Sequence, residues 1–443
     1  MRKAAVTLTG WGRSPAAACD AARPERFAEA VDGFTQDRAA GGIGLYGAGR
    51  SYGDAALNSG GTALITTRLD RILAFDAATG LIQVEPGVDF RRLLKSFLPR
   101  GWLVPVTPGT GFTTIGGAVA NDVHGKNHEL DGSFGQHVTE LDLLTPDGVT
   151  RTLVPSDDLF RATAGGVGLT GFITRIAFRM KRVPGGQVRV REERAENLDA
   201  FLAAMQDAAG ASYAVGWIDG AAGGNRLGRG ILETAEPVEG DFTQPPEHGR
   251  AIPVDFPGFA LNPISVAAFN EVYFNRVPRS GRTGEKPWGT FLYPLDAIHG
   301  WNRIYGKRGF VQFQCVVPFD TGPRALRALL EVIAASHRAS FLAVLKRMGA
   351  GRAGFLSFPM PGLTLALDFP RGPGIEALYA RLCGITLDAG GRVYLAKDAL
   401  LDAATFRRMY PEFGRFAAAR QAVDPSRRLQ TDMARRLRLQ DPP

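Results

Sequence analysis

Glycine is the residue that most constrains this chain. It occupies 55 of the 443 positions, about 12% against a usual ~7%, with no collagen-like period. Glycines in a packed chain mark backbone that turns tightly or runs close to a ligand. They gather in the stretches 41–61, 109–117, 125–135 and 165–171, with a further group at 219–230. The rest of the composition is that of a globular protein, 45% apolar and 22% charged. Disordered, coiled-coil and polytopic membrane chains are thereby excluded.

A net charge of +8, from 52 basic and 44 acidic residues, suits nucleic acid, a membrane surface or a phosphorylated ligand. The basic residues are scattered rather than in a block, which argues against a nucleic-acid groove. Three distant cysteines, Cys19, Cys315 and Cys383, give neither a disulfide framework nor a metal motif and point to a reducing compartment. The start MRKAAVTLTGWGRSPAAACD lacks a signal-peptide apolar core. The expectation is a cytoplasmic protein, with any membrane contact peripheral.

Length suggests two or three domains. Up to about residue 185, short apolar runs alternate with turns: strands are expected at Ile43–Tyr46, Ala63–Thr66, Ile72–Phe75 and Leu81–Glu85. Asp76 and Gly80 read as a hairpin turn, and 90–98 as a helix. The stretch 219–262, rich in Gly, Pro and acids, reads as a long loop, with 219–230 a mobile flap over the substrate lobe. From residue 311 the order is β-α-β-β-α-β, a ferredoxin-like split unit ending in the strand GRVYLAKD. A tail follows with a helix near 403–409. No internal repeat is visible.

Four segments carry chemistry. Gly47-Ala48-Gly49-Arg50-Ser51-Tyr52-Gly53 contains GxSxG, a serine-hydrolase nucleophile elbow centred on Ser51, but no substantial helix follows. Its other readings are a nest of N–H groups for phosphate, or a plain turn. Gly166-Val-Gly168-Leu-Thr-Gly171 matches GxGxxG with helix before and strand after, the reverse of a dinucleotide site. Residues Pro108–Gly111 and Thr113–Ala120 form a loop that lets backbone approach something flat or charged. Asn121-Asp-Val-His124-Gly-Lys126-Asn-His128 follows; its HxxxH lacks the glutamate and helix of a zinc site, so no metal is expected. Lys397, placed by strand alternation with Val393 and Leu395, is a lysine on an apolar face, which suggests an anionic ligand or a shifted pKa.

Together LYGAGRSYGD, VEPGV, PVTPGTGFTTIGGAVANDVHGKNHELDGSFGQHV and LFRATAGGVGLTGFI resemble the FAD-binding domain of the vanillyl-alcohol oxidase type. The segments LTGWGR, FQCVVP, SFPMPG, GRVYLAKD and the terminal TDMARRL look like its decaprenylphosphoryl-β-D-ribose 2′-oxidase subfamily. The resemblance spans nearly the whole chain and is weakest at 219–262. It implies an α+β, two-lobed enzyme: an FAD-binding domain at 1–185, a substrate domain at 186–391 with an antiparallel sheet covered by helices, and a return to the FAD domain at 392–443.

It also implies roles. Gly47, Ala48, Gly49, Arg50, Ser51, Tyr52, Gly53 and Asp54 would wrap the FAD pyrophosphate. Gly109, Thr110, Thr114, Ile115, Gly116, Gly117, Asn121, Asp122, His124, Gly125, Gly171, Ile173 and Tyr394 would complete the cofactor bed. Gln314, Lys346, Thr364 and Lys397 would meet substrate, with Lys397, His124 and Tyr52 catalytic. The implied reaction converts the 2′-hydroxyl of a polyprenyl-phosphate-linked pentose to a ketone, the proton going to His124 or a neutral Lys397. Implied partners are an NAD(P)-dependent short-chain reductase, which completes epimerisation to the arabinose form, and quinone or O2 as electron acceptor. A soluble alditol or aldonolactone oxidase is the alternative within the class.

Two positions depart from the family pattern. Relatives with covalent flavin carry histidine where this chain has Arg50, so non-covalent FAD is expected. The pocket cysteine of mycobacterial members, in Pro-Gly-Trp-Asn-Ile-Cys, is replaced in Pro361-Gly-Leu-Thr-Leu-Ala366, where Thr364 also takes the place of asparagine.

Overall fold

The structure, a computed structural model, describes residues 2–244, 249–338 and 341–441. The glycine-rich N-terminal part forms two small sheets. In one, strands Ala4–Thr9, Ala16–Ala22, Thr62–Ile65 and Ile43–Tyr46 lie side by side in that order. In the other, Ile72–Asp76, Leu81–Val84, Phe172–Arg179, Val138–Leu144 and Thr150–Leu153 form an antiparallel sheet. The expected strands and the Asp76–Gly80 hairpin are present, the Asp76 carboxylate accepting from Ala78 N–H and Thr79 hydroxyl. The expected helix is Phe90–Phe97, capped by Asp89, whose side chain accepts from Arg92 N–H.

The largest sheet has eight strands. In chain order they are β1 (Gln187–Ala195), β2 (Tyr213–Ile218), β3 (Gly230–Val238), β4 (Arg282–Pro287), β5 (Phe310–Val317), β6 (Ala343–Met348), β7 (Gly362–Pro370) and β8 (Arg392–Val393). Helix α1 (Leu198–Asp207) joins β1 to β2, and α2 (Pro263–Asn275) lies between β3 and β4; α3 (Gly322–Ser336) and α4 (Ile375–Asp388) occupy the same places in the second half. The spatial order β4-β1-β3-β2-β6-β7-β5-β8 reads 4-1-3-2 inward from either edge. The sheet is therefore two ferredoxin-like units joined through antiparallel β2 and β6, where Gly216 faces Leu345 and Trp217 faces Val344. The repeat is one of topology, invisible as sequence similarity.

The second unit was legible because its patterning is clean. All eight residues of β5 are buried, and Leu326, Leu329, Leu330 and Ile333 of α3 are at most 1% exposed. Burying each such side chain contributes about 1.5–3 kcal/mol. The first unit corrects the expectation of a loop over 219–262. Strand β3 lies inside that stretch, paired along its length with β1 and over residues 230–235 with β2, and its Ile231, Leu232 and Ala235 are buried. Nor is 219–230 a free flap: the Asp219–Arg229 ion pair and the Asn270 side chain pin it. Residues 245–248 of the expected loop lie outside the described residues.

The final strand is also shorter than expected. Only Arg392 and Val393 pair with β5; beyond them Lys397 and Asp398 donate backbone N–H groups to Tyr394 O, making a turn. Buried Asp398 fixes that turn by accepting from the N–H groups of Leu400 and Leu401 and the Tyr379 hydroxyl. Helices Ala403–Met409, Phe413–Val423 and Asp432–Arg436 then return to the glycine-rich part, where Leu429 bridges Ile43.

Candidate active site

The glycine loops and the eight-stranded sheet enclose a cavity of about 950 Å³. One wall is backbone. Strand Ile43–Tyr46 runs into a loop that places Gly47, Ala48, Gly49, Arg50, Ser51 and Tyr52 on the cavity, and Gly109, Thr110, Thr114, Gly117, Asn121, His124 and Gly125 extend that wall. Gly49 has φ +63°, and a β-carbon there would meet the Tyr46 hydroxyl at 2.2 Å. Gly116, Gly171 and Ile173 line a smaller adjoining cavity of about 70 Å³. Gly53, Asp54, Ile115 and Asp122 line neither and stand behind the wall. Ile115 is core; the Asp122 carboxylate accepts from the N–H groups of Gly135 and Ala353 and from the Ser357 hydroxyl.

Gly53 explains why this loop and the Lys397 turn stay together. Tyr52 N–H donates to Ala396 O at 2.9 Å. A β-carbon at Gly53 would lie 1.9 Å from Asp398 O. Arg436 then clamps both segments, ion-paired to Asp54 at 2.6 Å and Asp398 at 2.9 Å.

The opposite wall comes from the sheet: Gln312 and Gln314 of β5, Val344 and Lys346 of β6, Thr364 and Ala366 of β7, with Tyr394 and Lys397 beyond β8. All four expected substrate residues are on it. Tyr394 and Lys397 share the cavity because a turn separates them by three residues. Alternation along a strand, by which Tyr394 and Lys397 would face opposite ways, does not hold in this turn. The Lys397 ammonium lies 3.6 Å from the centre of the Tyr52 ring.

Charge is unevenly compensated here. Lys346 bonds His124 Nδ1 at 3.1 Å and Gly125 O at 3.2 Å; burial and the charges of Lys126 and Lys397 pull its pKa down to about 7. Lys397 is likewise lowered by burial, opposed by the charge of Asp368. Asp368 is buried behind the cavity, where it accepts from Gln312 Nε2 at 2.5 Å and the Tyr305 hydroxyl at 3.1 Å; burial raises its pKa. His124 contacts Gln314 through Nε2 at 3.0 Å and Lys346 through Nδ1. Burial and Lys346 push its pKa well below the usual imidazole value. A neutral histidine with both ring nitrogens engaged is an orienting group more than a base.

Sequence reading missed the far end of the cavity, Trp217, Ile231, Glu233, Tyr273, Arg276 and Lys286, which Lys126 of the segment 121–128 meets. Glu233 of β3 accepts from Lys126 at 3.2 Å and Lys286 at 2.6 Å. These residues lie far apart in sequence and share no motif. No local pattern in GILETAEPV marks Glu233, since burial along the strand does not alternate.

The elbow reading of Ser51 fails here, since residues 51–56 form bends and turns rather than a helix. His124 and His128 stand with ring centres 6.1 Å apart, and among the described residues no group of three or more His, Cys, Asp or Glu is placed to hold a metal.

Two buried polar atoms beside the glycine wall lack hydrogen-bond partners: Arg50 Nε and Asn121 Oδ1. The Arg50 guanidinium is held over the Trp11 and Phe112 rings, 4.3 and 4.7 Å from their centres. An unsatisfied guanidinium suits a pyrophosphate and an unsatisfied amide oxygen suits a ring N–H, so the donor set fits a flavin dinucleotide. Residues 28–153 match the family model of an FAD binding domain, and 306–437 that of D-arabinono-1,4-lactone oxidase.

Fold, cavity and matched domains thus define an FAD-dependent oxidoreductase of the vanillyl-alcohol oxidase type. The chain is 36% identical over 98% of its length, and 97% of the relative's, to decaprenylphosphoryl-β-D-ribose oxidase of Mycolicibacterium smegmatis. It belongs to that family. An L-gulono-1,4-lactone dehydrogenase of Mycobacterium tuberculosis is more distant, 23% identical over 94% of this chain and 95% of the relative.

Proposed function

We propose that this chain oxidises the 2′-hydroxyl of a polyprenylphosphoryl-β-D-ribose to the 2′-ketone, the first half of epimerisation to the arabinose form. The observation that carries this reading is the pairing of two buried lysines, Lys346 and Lys397, on the cavity wall opposite the glycine bed. Lys346, bonded to His124 and the Gly125 carbonyl and not to an acid, is a buried cation retained at a cost that an anionic ligand offsets. The full-length relative named above supports the phosphorylated pentose.

In this reading, residues 1–185 and 392–443 hold FAD and 186–391 hold substrate. Arg50 and the 47–52 backbone bind the pyrophosphate. Bound FAD supplies a two-electron acceptor for the hydrogen on C2′. Lys397, its ammonium form disfavoured by burial, accepts the hydroxyl proton as a free amine. Gln314 and Thr364, themselves in contact at 3.3 Å, orient the ring hydroxyls with His124. Protonated Lys346 meets the anionic end. Tyr52 under Lys397 and Asp368 behind it hold the amine in place. A short-chain NAD(P)-dependent reductase then returns hydride to the ketone, and quinone or O2 reoxidises the flavin.

The test is anaerobic flavin bleaching. A polyprenylphosphoryl-ribose should bleach the holoenzyme, and free aldonolactones should not. The second reading, a soluble aldonolactone or alditol oxidase, is favoured by the match over 306–437 and takes over if lactones alone bleach the flavin.

A further inference from the structure

Seven of the twelve large apolar side chains exposed among the described residues fall between positions 254 and 298: Val254, Phe256, Phe259, Ile264, Phe269, Val272 and Ile298. On α2, Ile264 and Val272 are 82% and 75% exposed. With exposed Ala268 they repeat every four residues, so they form one outward stripe. The other side of α2 buries Val266, Asn270 and Phe274. Phe259, 78% exposed, stands in the segment just before the helix.

Both parts of this patch border the cavity mouth. Phe269 contacts Tyr273 and Phe341, with ring centres 5.7 and 5.3 Å apart. Tyr273 packs on Trp217, and both line the cavity. Strand pairing of Arg250–Ala251 with Ile298–His299 ties the preceding segment to the cavity rim, and Phe256 N–H donates to Arg303 O. The two acids in the patch are neutralised, Asp255 by Arg13 and Arg303, and Glu271 by Arg229. Arg250, Arg279, Lys307 and Arg308 are exposed around it. Separate apolar side chains ringed by cations are suited to an anionic bilayer, with the apolar groups in the acyl boundary and the cations at phosphates. A protein partner would instead favour a continuous, charge-depleted core.

We propose that residues 254–272 and Ile298 dock the chain on an anionic phospholipid surface, with the cavity mouth turned toward the lipid. The orientation rests on the substrate reading above, since a lipid-linked sugar would enter without leaving the bilayer. No helix of the described residues is long and apolar enough to cross a membrane; the contact is interfacial.

The experiment is flotation of the FAD-loaded chain with phosphatidylcholine vesicles and with mixed phosphatidylcholine–phosphatidylglycerol vesicles. Binding should be at least about tenfold greater on the anionic vesicles. Ile264→Glu/Val272→Glu should lower it by about tenfold or more, leaving the visible spectrum and turnover of a short-chain soluble substrate unchanged. Leu73→Glu/Val149→Glu, outside the patch, should float like the parent. Failure to float with either vesicle overturns the proposal, as does a dimer that Ile264→Glu/Val272→Glu dissociates, which would assign the patch to a second copy. Flotation lost in the patch variant, with no bleaching by polyprenylphosphoryl-ribose, upholds docking and overturns the substrate reading. Bleaching without flotation does the reverse.

Discussion

The two halves of the eight-stranded sheet share one topology but divide their work. The second half, β5 to β8, is buried and contributes Gln312, Gln314, Lys346 and Thr364 to the cavity from consecutive strands. The first half spends its charges on each other. Glu192 is paired with Arg276 and Arg282, Glu233 with Lys126 and Lys286, and Asp219 with Arg229. Compensated cations hold strands together; uncompensated ones, buried at a cavity, are available to a ligand. Where the charges are left open, more than which strands they occupy, separates scaffold from site.

The largest effect expected from this contrast is at Lys397. Lys397→Ala should slow flavin bleaching by about 10³-fold or more while FAD stays bound, measured by rapid mixing. In the parent, the bleaching rate at saturating substrate should rise with pH and then level, because the amine accepts a proton only when neutral. Asp368→Asn should move that limb to lower pH, since removing the carboxylate's charge makes the ammonium still less favourable.

Lys346→Met comes next. KM should rise by about 10- to 100-fold, equivalent to about 1.4–2.7 kcal/mol of lost binding, with little change in kcat. The affinity role proposed for protonated Lys346 predicts that kcat/KM in the parent falls again above about pH 7, and this alkaline limb should vanish in the variant. Stability moves the other way. The folded chain holds Lys346 at about 7 against an ordinary 10.5, so between those values the unfolded chain binds more protons and stability rises with pH. The cofactor-free variant should therefore melt a few degrees higher than the parent near neutral pH, with a weaker pH dependence, read by calorimetry.

Glu233→Gln in the first half should cost only a few-fold in kcat/KM, because it loosens cations that are already paired. If it matches Lys346→Met, the contrast between the halves is broken. The smallest readouts concern what the cavity lacks. Denaturation should release all the yellow colour, since Arg50 cannot bond covalently to flavin. Inhibitors that act by labelling a pocket thiol should leave no time-dependent adduct, because Ala366 occupies the cavity and Cys19, Cys315 and Cys383 are buried elsewhere.

Legibility followed patterning. Strand β5 and helices α3 and α4 announce themselves through long apolar runs and a clean 3.6-residue period. Strand β3 does not, because its inward glutamate and flanking Gly and Pro imitate a loop. The glycine wall was readable because backbone approach leaves a compositional mark. Asp368, buried in β7, was missed: its value lies in meeting Gln312 and Tyr305, and such long-range company leaves no trace in local sequence. Lys397 was singled out through a strand that ends at Val393; it lies in the turn beyond.

The Arg436 clamp joins segments that are far apart in the chain. The glycine loop and the turn at Lys397 are held together by a guanidinium from a third segment, the one that ties Asp54 to Asp398. The loop is closed only once all three segments have folded against one another. On the proposed function, holding FAD is therefore a property of the assembled fold and not of the glycine loop alone. Carboxy-terminal truncation before residue 430 should yield a colourless protein, even with the whole glycine wall present.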